Sequence, residues 1–295
     1  MNIIIMSTGE LTLRIISRLK NSIKISIKGI VLDMSVDENY LNYFSTEVTK
    51  LDYKVYTLQE IKKLDFDFIF MCEYRKILDS NIINEYKILN LHAGILPKYR
   101  GFHANAWAIL NGESRIGYSV HEVNEFFDGG PIFYIGAIKI KDYETYAQVR
   151  PIMLRHIEEN IENILDDIFN GRYIGQIQNQ TEALYCSKIK KEDGFLNTFD
   201  KTTENLYNLF RIMAKPAGTG IYFNFKERNI YVGKVIKGNI IGIQDYFGIP
   251  GCIVNITKNE GLWIKTQNNI ICLSDLTDVK GNAVNLDLFK IGMRI

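Results

Sequence analysis

The sequence predicts an α/β domain built on a parallel sheet, followed by a small β-rich domain. Two observations predict the first part: short β-rich runs alternate with helix-like stretches at the start of the chain, and a long amphipathic helix follows them. A third predicts the second part, because after Pro216 short β-rich runs follow one another closely, separated by Gly, Asn and Lys. We expect one domain over residues 1–180, a linker and helix over 181–215, and a small, OB-like antiparallel domain over 216–295.

The N-terminal elements are predicted from their hydrophobic periodicity. A β-rich run ends in the polar stretch STGE, and the apolar residues after it recur at helical spacing. The same alternation is repeated twice further on. The predicted strands cover residues 2–6, 23–32, 55–56, 67–72 and 88–91, and the predicted helices cover residues 11–20, 58–64 and 79–86. Such alternation is typical of a parallel sheet flanked by helices.

After residue 91 the sequence predicts further strands and three helices. A long connection with its own helix at 104–110 leads to two strands, at 116–123 and 132–140, joined by the Gly-rich loop NEFFDGG. From Tyr146 apolar residues follow a helical stripe opposite several acidic ones, with Gly171 as the stop. A further helix is predicted at 204–213, and β-rich runs at 220–225, 229–236, 239–243, 251–256, 261–266 and 269–274.

Composition and charge narrow the function classes. A chain of 295 residues with 46% hydrophobic content can bury one large or two modest cores, so disorder is excluded as its main state. With 35 Lys and Arg against 34 Asp and Glu, the net charge of +1 gives the whole chain no electrostatic reason to bind DNA or an anionic membrane. No apolar run reaches the roughly 18 residues of a membrane span. We expect a cytoplasmic protein.

The four cysteines do not indicate a metal site or a disulfide framework. They stand far apart in the sequence, at Cys72, Cys186, Cys252 and Cys272. Paired metal knuckles and small disulfide-rich domains both need closer spacing. We therefore predict reduced, structural thiols and no metal ion.

Three polar residues form the strongest candidate for a site with chemistry. Asn90 and His92 are two residues apart at a predicted strand end, so their side chains project from the same face. In open α/β sheets ligands bind beyond the carboxyl ends of the strands. Asp128 lies in the loop between the next two strands, and a loop folded back over this edge would bring its carboxylate to the imidazole. Taken singly, each residue is more often turn or capping chemistry.

The complete string NLHAGILPKYRG, followed by HEVNEFFDGGPI, resembles the 10-formyltetrahydrofolate-dependent formyltransferases. The family pattern is Asn-x-His, then Leu-Pro with a basic residue and Gly, then Asp-x-Gly. The match is close over residues 66–140 and looser elsewhere. The residues that match the pattern are Asn90, His92, Leu96, Pro97, Arg100, Gly101, Asp128 and Gly130. The resemblance implies a Rossmann-like catalytic domain, 10-formyltetrahydrofolate as co-substrate, and Asn90, His92 and Asp128 as catalytic residues.

Formyl transfer to an amine has requirements that these three residues can meet. The attacked formyl oxygen gains negative charge and needs hydrogen-bond donors, which Asn90 and a protonated His92 can offer. The attacking nitrogen loses a proton while the folate nitrogen gains one. Asp128 can hold the His92 tautomer, raise the pKa of His92 or accept the proton itself. No covalent nucleophile is required.

The resemblance also implies binding residues in three loops. Arg75, Ile77 and Leu78 follow the DFIFMC strand where the family binds folate. Without the resemblance, Ile77 and Leu78 would be interpreted as core residues. Thr8 lies in a loop that resembles the one where the amine substrate approaches. Lys98 and Arg100 are predicted to bind a substrate phosphate.

The remaining histidines are not predicted to be catalysts. His103 follows the Arg-Gly turn closely enough to touch a substrate, but a capping or solvent-facing role explains it equally well. His121 on an alternating strand is interpreted as structural, and so is His156 on the long helix.

The acceptor is predicted to be a nucleotide-linked amino-deoxysugar, formylated for a surface glycan such as the lipopolysaccharide O-antigen. The segment RGFHANAWAILNGE, with Trp107, resembles sugar N-formyltransferases, and a near-neutral chain is unusual for a tRNA-binding protein. Methionyl-tRNA formyltransferase is the alternative. A non-catalytic binding module is a third hypothesis, against which the three candidate catalytic residues argue. Apolar residues of the tail, such as Tyr222, Phe223, Trp263 and Ile264, could support a homodimer.

Overall fold

The computed structural model describes residues 1–238 and 248–295 and divides them into two compact units. Unit one comprises residues 1–105, 116–139 and 151–187, and unit two comprises residues 106–115, 140–150 and 188–295. The β-rich run predicted at 239–243 lies outside the described residues.

Up to residue 187 most of the predicted strands and helices are present. In chain order these are β1 (Asn2–Ser7), α1 (Glu10–Leu19), β2 (Ser26–Val31), α2 (Glu38–Lys50), β3 (Phe68–Cys72), α3 (Ser80–Glu85), β4 (Ile88–His92), β5 (Arg100–Gly101), α4 (Ala104–Leu110), β6 (Arg115–Glu122), β7 (Ile132–Lys139), α5 (Tyr146–Phe169) and β8 (Tyr185–Cys186). The helix predicted at 58–64 is reduced to a 3-10 turn at Ile61–Lys63, and Val55 makes only an isolated bridge to Ile30.

Unit one is organised around a six-stranded sheet in the order β2-β1-β3-β4-β6-β7. The pairs β1–β2, β1–β3 and β3–β4 are parallel, as the alternation of strands and helices predicts. The strand β6 pairs with β4 in the antiparallel direction, so the sheet is mixed. Strands buried on both faces need continuous apolar sequence, and residues 3–6 of β1 are fully buried.

The helix α2 has no counterpart among the sequence predictions. Asp37 caps it, its carboxylate accepting from the backbone N–H groups of Asn39 and Tyr40. Only Phe44 and Val48, four residues apart, are buried along its 13 residues. Two apolar contacts separated by polar residues give too weak a periodicity to be recognised in the sequence.

Unit two contains the β-rich region. Its elements after residue 187 are α6 (Thr203–Met213), β9 (Ile221–Phe225), β10 (Arg228–Lys237), β11 (Ile253–Thr257), β12 (Gly261–Lys265) and β13 (Ile270–Thr277). The five strands form one sheet in the order β11-β12-β13-β10-β9, and the pairs of neighbours are antiparallel. Side chains on alternating positions are buried, such as Phe223, Ile230, Val232, Leu262, Ile264 and Leu273.

A buried arginine ties α6 to the segment before α5 within unit two. The Arg211 side chain is 2% exposed and donates to the backbone oxygens of Lys141 and Glu144 and to Asn208. Burial of a guanidinium is tolerated only when its donors are satisfied, as they are here. Over the described residues, no helix is long and apolar enough to cross a membrane.

Candidate active site

The candidate site lies at the carboxyl edge of the sheet of unit one. Ser7 of β1 pairs with Cys72 of β3, and Cys72 pairs with Leu91 of β4, so these parallel strands end at the same level. The loops that leave them therefore meet beyond one edge, where α/β sheets bind ligands.

The three candidate catalytic side chains lie close together at this edge. Nδ1 of His92 is 3.4 Å from Oδ2 of Asp128. His92 and Asp128 are 7% and 10% exposed, and Asn90 is 9% exposed, so the cluster is nearly enclosed but still reachable. Ring and carboxylate thus have the separation of a long hydrogen bond or an ion pair.

His121, which is interpreted from the sequence as structural, also lies in this cluster. It is the cross-strand partner of Asn90 in the antiparallel pair β4–β6. Nε2 of His121 is 3.0 Å from Nδ2 of Asn90 and 3.5 Å from Oδ1 of Asp128. The two oxygens of Asp128 therefore face two different imidazoles. No signal within a single strand predicts this, because it depends on the direction in which β6 pairs.

The hydrogen bonds of His121 set the orientation of the Asn90 amide. A carbonyl oxygen can only accept, so the contact of 2.9 Å from Nδ1 of His121 to the Glu122 carbonyl places a hydrogen on Nδ1. In the neutral ring Nε2 is then an acceptor and selects the NH₂ group of Asn90. One amide hydrogen is used in this contact, and the group is held in a fixed orientation.

The His92 ring is held in the same way from its other side. Nε2 of His92 donates to the Tyr99 carbonyl at 2.8 Å, which leaves Nδ1 towards Asp128. The loop that carries this carbonyl is fixed by Ser119, whose hydroxyl donates to the Gly94 carbonyl and accepts from the backbone N–H of Leu96. A proton that reaches Nδ1 would be shared with the Asp128 carboxylate.

The pKa values of His92 and Asp128 are shifted by burial and by the groups around them. Burial lowers the pKa of His92 below its ordinary value, and the nearby Asp128 carboxylate only partly offsets this. Burial raises the pKa of Asp128, but its contacts with His121 and His92 and the N–H of Gly101 outweigh burial and lower the pKa overall. A neutral imidazole therefore faces an ionised carboxylate, an arrangement ready to take up one proton.

These pKa directions predict that acid destabilises the fold. Between the lowered pKa of folded His92 and the ordinary value of about 6.5, the unfolded chain binds more protons than the folded chain. The free energy of unfolding should therefore fall as the pH drops below about 6.5, and Asp128 adds a further loss below its ordinary pKa near 4. Urea unfolding between pH 5 and pH 7.5 measures this. His92→Asn should flatten the dependence, and an equal slope in both proteins would contradict the assignment.

The residues predicted to bind the co-substrate lie in the loop that follows β3. Arg75 is exposed, and its backbone N–H donates to the buried Asp33 carboxylate. Ile77 is 77% exposed, whereas Leu78 packs against the buried cluster of Ile4, Met6, Val31, Ile61, Ile69 and Ile88. An exposed isoleucine at a ligand-binding edge suits a flat apolar ligand. Lys98 is also exposed, with its ammonium 5.1 Å from the centre of the Tyr99 ring.

Thr8 and Arg100 do not fit the substrate-contact roles predicted from the sequence. The Thr8 hydroxyl is buried, donates to the Ser7 carbonyl and accepts from the backbone N–H of Asp33. Arg100 is 0% exposed and donates to Gln178, Gln180 and Tyr185. Both side chains hold loops in place, because their polar groups are already engaged inside the protein. A sequence motif does not distinguish an exposed arginine from a buried one such as Arg100.

The chain matches two protein-family models, one of which covers the candidate site. Residues 44–161 match the formyl transferase model, and residues 188–294 match the model of the formyl transferase C-terminal domain. The chain belongs to the formyltransferase family. The resemblance and the fold class predicted from the sequence are thereby confirmed, and the three clustered residues lie within the first matched segment.

Proteins similar to this chain include methionyl-tRNA formyltransferases and sugar N-formyltransferases. Methionyl-tRNA formyltransferase of Thermotoga neapolitana is 27% identical over 72% of the chain, and the match spans 66% of that relative. A sugar 3N-formyltransferase structure, determined with dTDP and 5-N-formyl-tetrahydrofolate, aligns at TM-score 0.69 and 19% identity over 95% of this chain and 98% of the other. The N-formyltransferase of Helicobacter canadensis, bound to folinic acid and dTDP-3-aminofucose, aligns at 0.69 and 20% identity over 92% and 98%.

We predict that His121 assists formyl transfer by this chain without touching the reacting atoms. His121→Phe removes the acceptor that orients the Asn90 amide and the imidazole beside Asp128. We expect kcat to fall about tenfold, with KM changing less, because a misdirected donor affects the transition state most. His156→Gln alters an imidazole outside the cluster, one that contacts Tyr118, and serves as the control. Equal kcat values for the two variants would refute a role for His121.

Proposed function

We propose that the chain transfers a formyl group from 10-formyltetrahydrofolate to the primary amine of a nucleotide-linked amino-deoxysugar, giving a formamido sugar. The observation that carries the transfer chemistry is the cluster of Asn90, His92 and Asp128 at the carboxyl edge of the sheet, with a neutral imidazole beside an ionised carboxylate. This arrangement also argues against a binding module without catalysis, because it supplies what acid-base chemistry needs.

Each side chain has a separate part in the proposed reaction. Asn90, oriented by His121, offers an amide N–H to the formyl oxygen as that oxygen gains charge. His92 and Asp128 together hold the proton lost by the attacking amine, with the charge of Asp128 stabilising it on Nδ1 of His92. Return of a proton to the folate nitrogen completes the exchange, so the pair ends as it began.

The edge of the sheet offers a suitable place for the folate. A flat heterocycle needs an apolar surface with polar groups beside it. Ile77 is largely exposed, and Leu78 and Arg75 lie beside it in the same loop, which leaves β3 next to the strand that carries His92. We propose these three residues as the folate-binding segment. The formyl donor is supported by the relatives, since two aligned formyltransferases were solved with folinic acid or 5-N-formyl-tetrahydrofolate.

The choice of a sugar acceptor is supported by the net charge of the chain and by the structures that align with it. A net charge of +1 is little for a protein that must bind a tRNA backbone. Two sugar N-formyltransferases align with this chain over 98% of their own lengths. A nucleoside diphosphate requires only a few local cations, and exposed Lys98 remains a candidate for that contact.

Methionyl-tRNA formyltransferase is the alternative that specific observations favour. The relatives from Thermotoga neapolitana and Clostridium acetobutylicum carry that name, the second at 26% identity over 83% of this chain. Lys and Arg also outnumber Asp and Glu between residues 188 and 295, in the segment that matches the C-terminal family domain. A local excess of cations is what a tRNA contact would use.

The other expectations from the sequence remain part of this proposal. Residues 1–180 are proposed as the catalytic domain and residues 216–295 as the β-rich domain, joined by the segment 181–215. A cytoplasmic location, a role in surface-glycan synthesis, a homodimer, and the absence of DNA, metal and membrane partners are likewise predictions.

A formyl-transfer assay against a panel of acceptors tests this proposal. The panel contains dTDP-, UDP- and GDP-linked amino sugars and charged initiator methionyl-tRNA, each with 10-formyltetrahydrofolate. We expect efficient transfer to at least one nucleotide sugar and little to the tRNA. Efficient transfer to the tRNA alone would overturn the sugar assignment in favour of the alternative. Release of formate with every acceptor and transfer to none would contradict both.

A further inference from the structure

A segment outside both matched family segments holds the catalytic loops together. Residues 176–186 lie between the matches at 44–161 and 188–294. The strand β8 in this segment pairs with β5, which directly follows Tyr99, the residue whose carbonyl binds His92. At its other end Gln176 forms a bridge with Ile132, just beyond the Asp128 loop. The segment therefore spans both loops of the candidate site.

Gln178 connects these two loops through a single buried side chain. It is 4% exposed. Its Oε1 atom accepts from Nε and Nη2 of Arg100 at 3.1 and 2.7 Å. Its Nε2 atom donates to the backbone carbonyls of Asp128 and Gly130 at 2.8 and 2.7 Å. The oxygen of this amide thus binds Arg100, and its nitrogen binds the Asp128 loop.

The Asp128 loop needs such support because its conformation is unfavourable. Asp128 has a φ of 51°, in the left-handed region that costs a residue with a Cβ free energy. At Gly130 a Cβ atom would collide with the Glu122 carbonyl, so the loop lies tightly against the end of β6. The Asp128 carboxylate must also keep its contact of 2.8 Å with the N–H of Gly101 while facing two imidazoles.

We propose that Gln178 is a positioning residue that holds the Asp128 carboxylate between His92 and His121. Arg100 is its anchor: the buried guanidinium fixes Oε1 of Gln178, and this directs the amide hydrogens to the Asp128 loop. Gln178 touches neither substrate nor reacting atoms. The inference rests on the proposed function, since it assigns Asp128 a part in catalysis.

Gln178→Glu removes the hydrogen bonds to the Asp128 loop and keeps the contact with Arg100. The carboxylate keeps the size of the amide and its acceptors for Arg100 but loses both hydrogens given to the Asp128 loop. We expect kcat to fall about tenfold or more, while KM for the folate stays within about threefold. Gln176→Glu makes the same chemical change at an exposed side chain of the same segment and should retain the wild-type kcat. A kcat for Gln178→Glu equal to that of this control would overturn the proposal.

A second measurement keeps the inference separate from the proposed reaction. Gln178→Asn introduces no charge but shortens the side chain by one methylene, so it cannot reach both loops. Asp128 raises the pKa of His92 against the larger effect of burial. Displacement of Asp128 should therefore lower the His92 pKa, measured by NMR of protein labelled with ¹⁵N-histidine. The other titratable side chains near this site, His121 and Arg100, are not substituted in the variant.

The outcomes of the two measurements are distinct. A lower His92 pKa in Gln178→Asn supports the positioning role even if the wild-type protein transfers no formyl group to any acceptor tested. An unchanged His92 pKa in a folded Gln178→Asn variant would overturn it, whatever the activity of the wild type. If Gln178→Glu does not fold, Gln178→Asn supplies both the kinetic and the NMR result.

Discussion

Replacing His92 with Ala is expected to lower kcat for formyl transfer by about a thousandfold, because it removes both a proton acceptor and the partner of Asp128. Nδ1 of His92 is the ring atom that faces the carboxylate, at 3.4 Å. Without the imidazole, the proton from the attacking amine must go to solvent or to Asp128 alone. Steady-state kinetics with 10-formyltetrahydrofolate and the acceptor identified by the panel measure the effect.

The stability of this variant must be measured alongside its activity. The sequence alone suggests that a histidine at a strand end buries little area, but His92 is 7% exposed and donates to the Tyr99 carbonyl. Its loss leaves that carbonyl unsatisfied, at a cost of about 1–3 kcal/mol. His92→Gln can still donate to Tyr99 but cannot serve as a base near neutral pH. Wild-type turnover in His92→Gln would remove His92 from the proposed mechanism.

Asp128→Asn is expected to lower kcat by about a hundredfold or more with little change in KM. The amide has the shape of the carboxylate but lacks the charge that stabilises a proton on His92, and one of its two terminal atoms becomes a donor. That donor must face either an imidazole or the N–H of Gly101, which now contacts Oδ2. The pair can then no longer act as a unit.

Asp275→Asn is a matched control for this substitution. Asp275 is an exposed residue of β13 with a φ of 50°, so the same change is made in the same backbone conformation, in the other unit. We expect its kcat to equal that of the wild type. If both variants lose the same fraction of activity, the loss cannot be attributed to the charge beside His92.

Much of the fold could be predicted because its signals are local. Strands with continuous apolar runs, such as β1 and β3, and the long stripe of α5 are evident from periodicity alone. The antiparallel direction of β6 could not be predicted in this way, because the residue pattern of a single strand does not specify which strand it pairs with. The place of His121 in the cluster is hidden for the same reason, because only its pairing opposite Asn90 brings it there.

The candidate site was predicted in part for a related reason. The spacing of Asn90 and His92 specifies a shared face, and a loop acid that returns to the edge is a simple hypothesis to form. Whether a polar residue faces a ligand or the interior is decided by tertiary contacts. Arg100 is buried against Gln178, a contact across 78 residues of sequence that no local pattern indicates. The sequence therefore predicts which side chains gather at the sheet edge better than it predicts the residues that support them.

Transfer of the formyl group to an amine can be observed by following the formyl carbon itself. The wild-type protein is incubated with 10-formyltetrahydrofolate labelled with ¹³C in the formyl group and with a nucleotide-linked amino sugar, and the products are observed by ¹³C NMR. We predict that the label appears as a formamide carbon on the sugar nitrogen, at a rate proportional to enzyme concentration and about a hundredfold or more lower in Asp128→Asn. Label that stays on the folate, or is released only as formate, would contradict it.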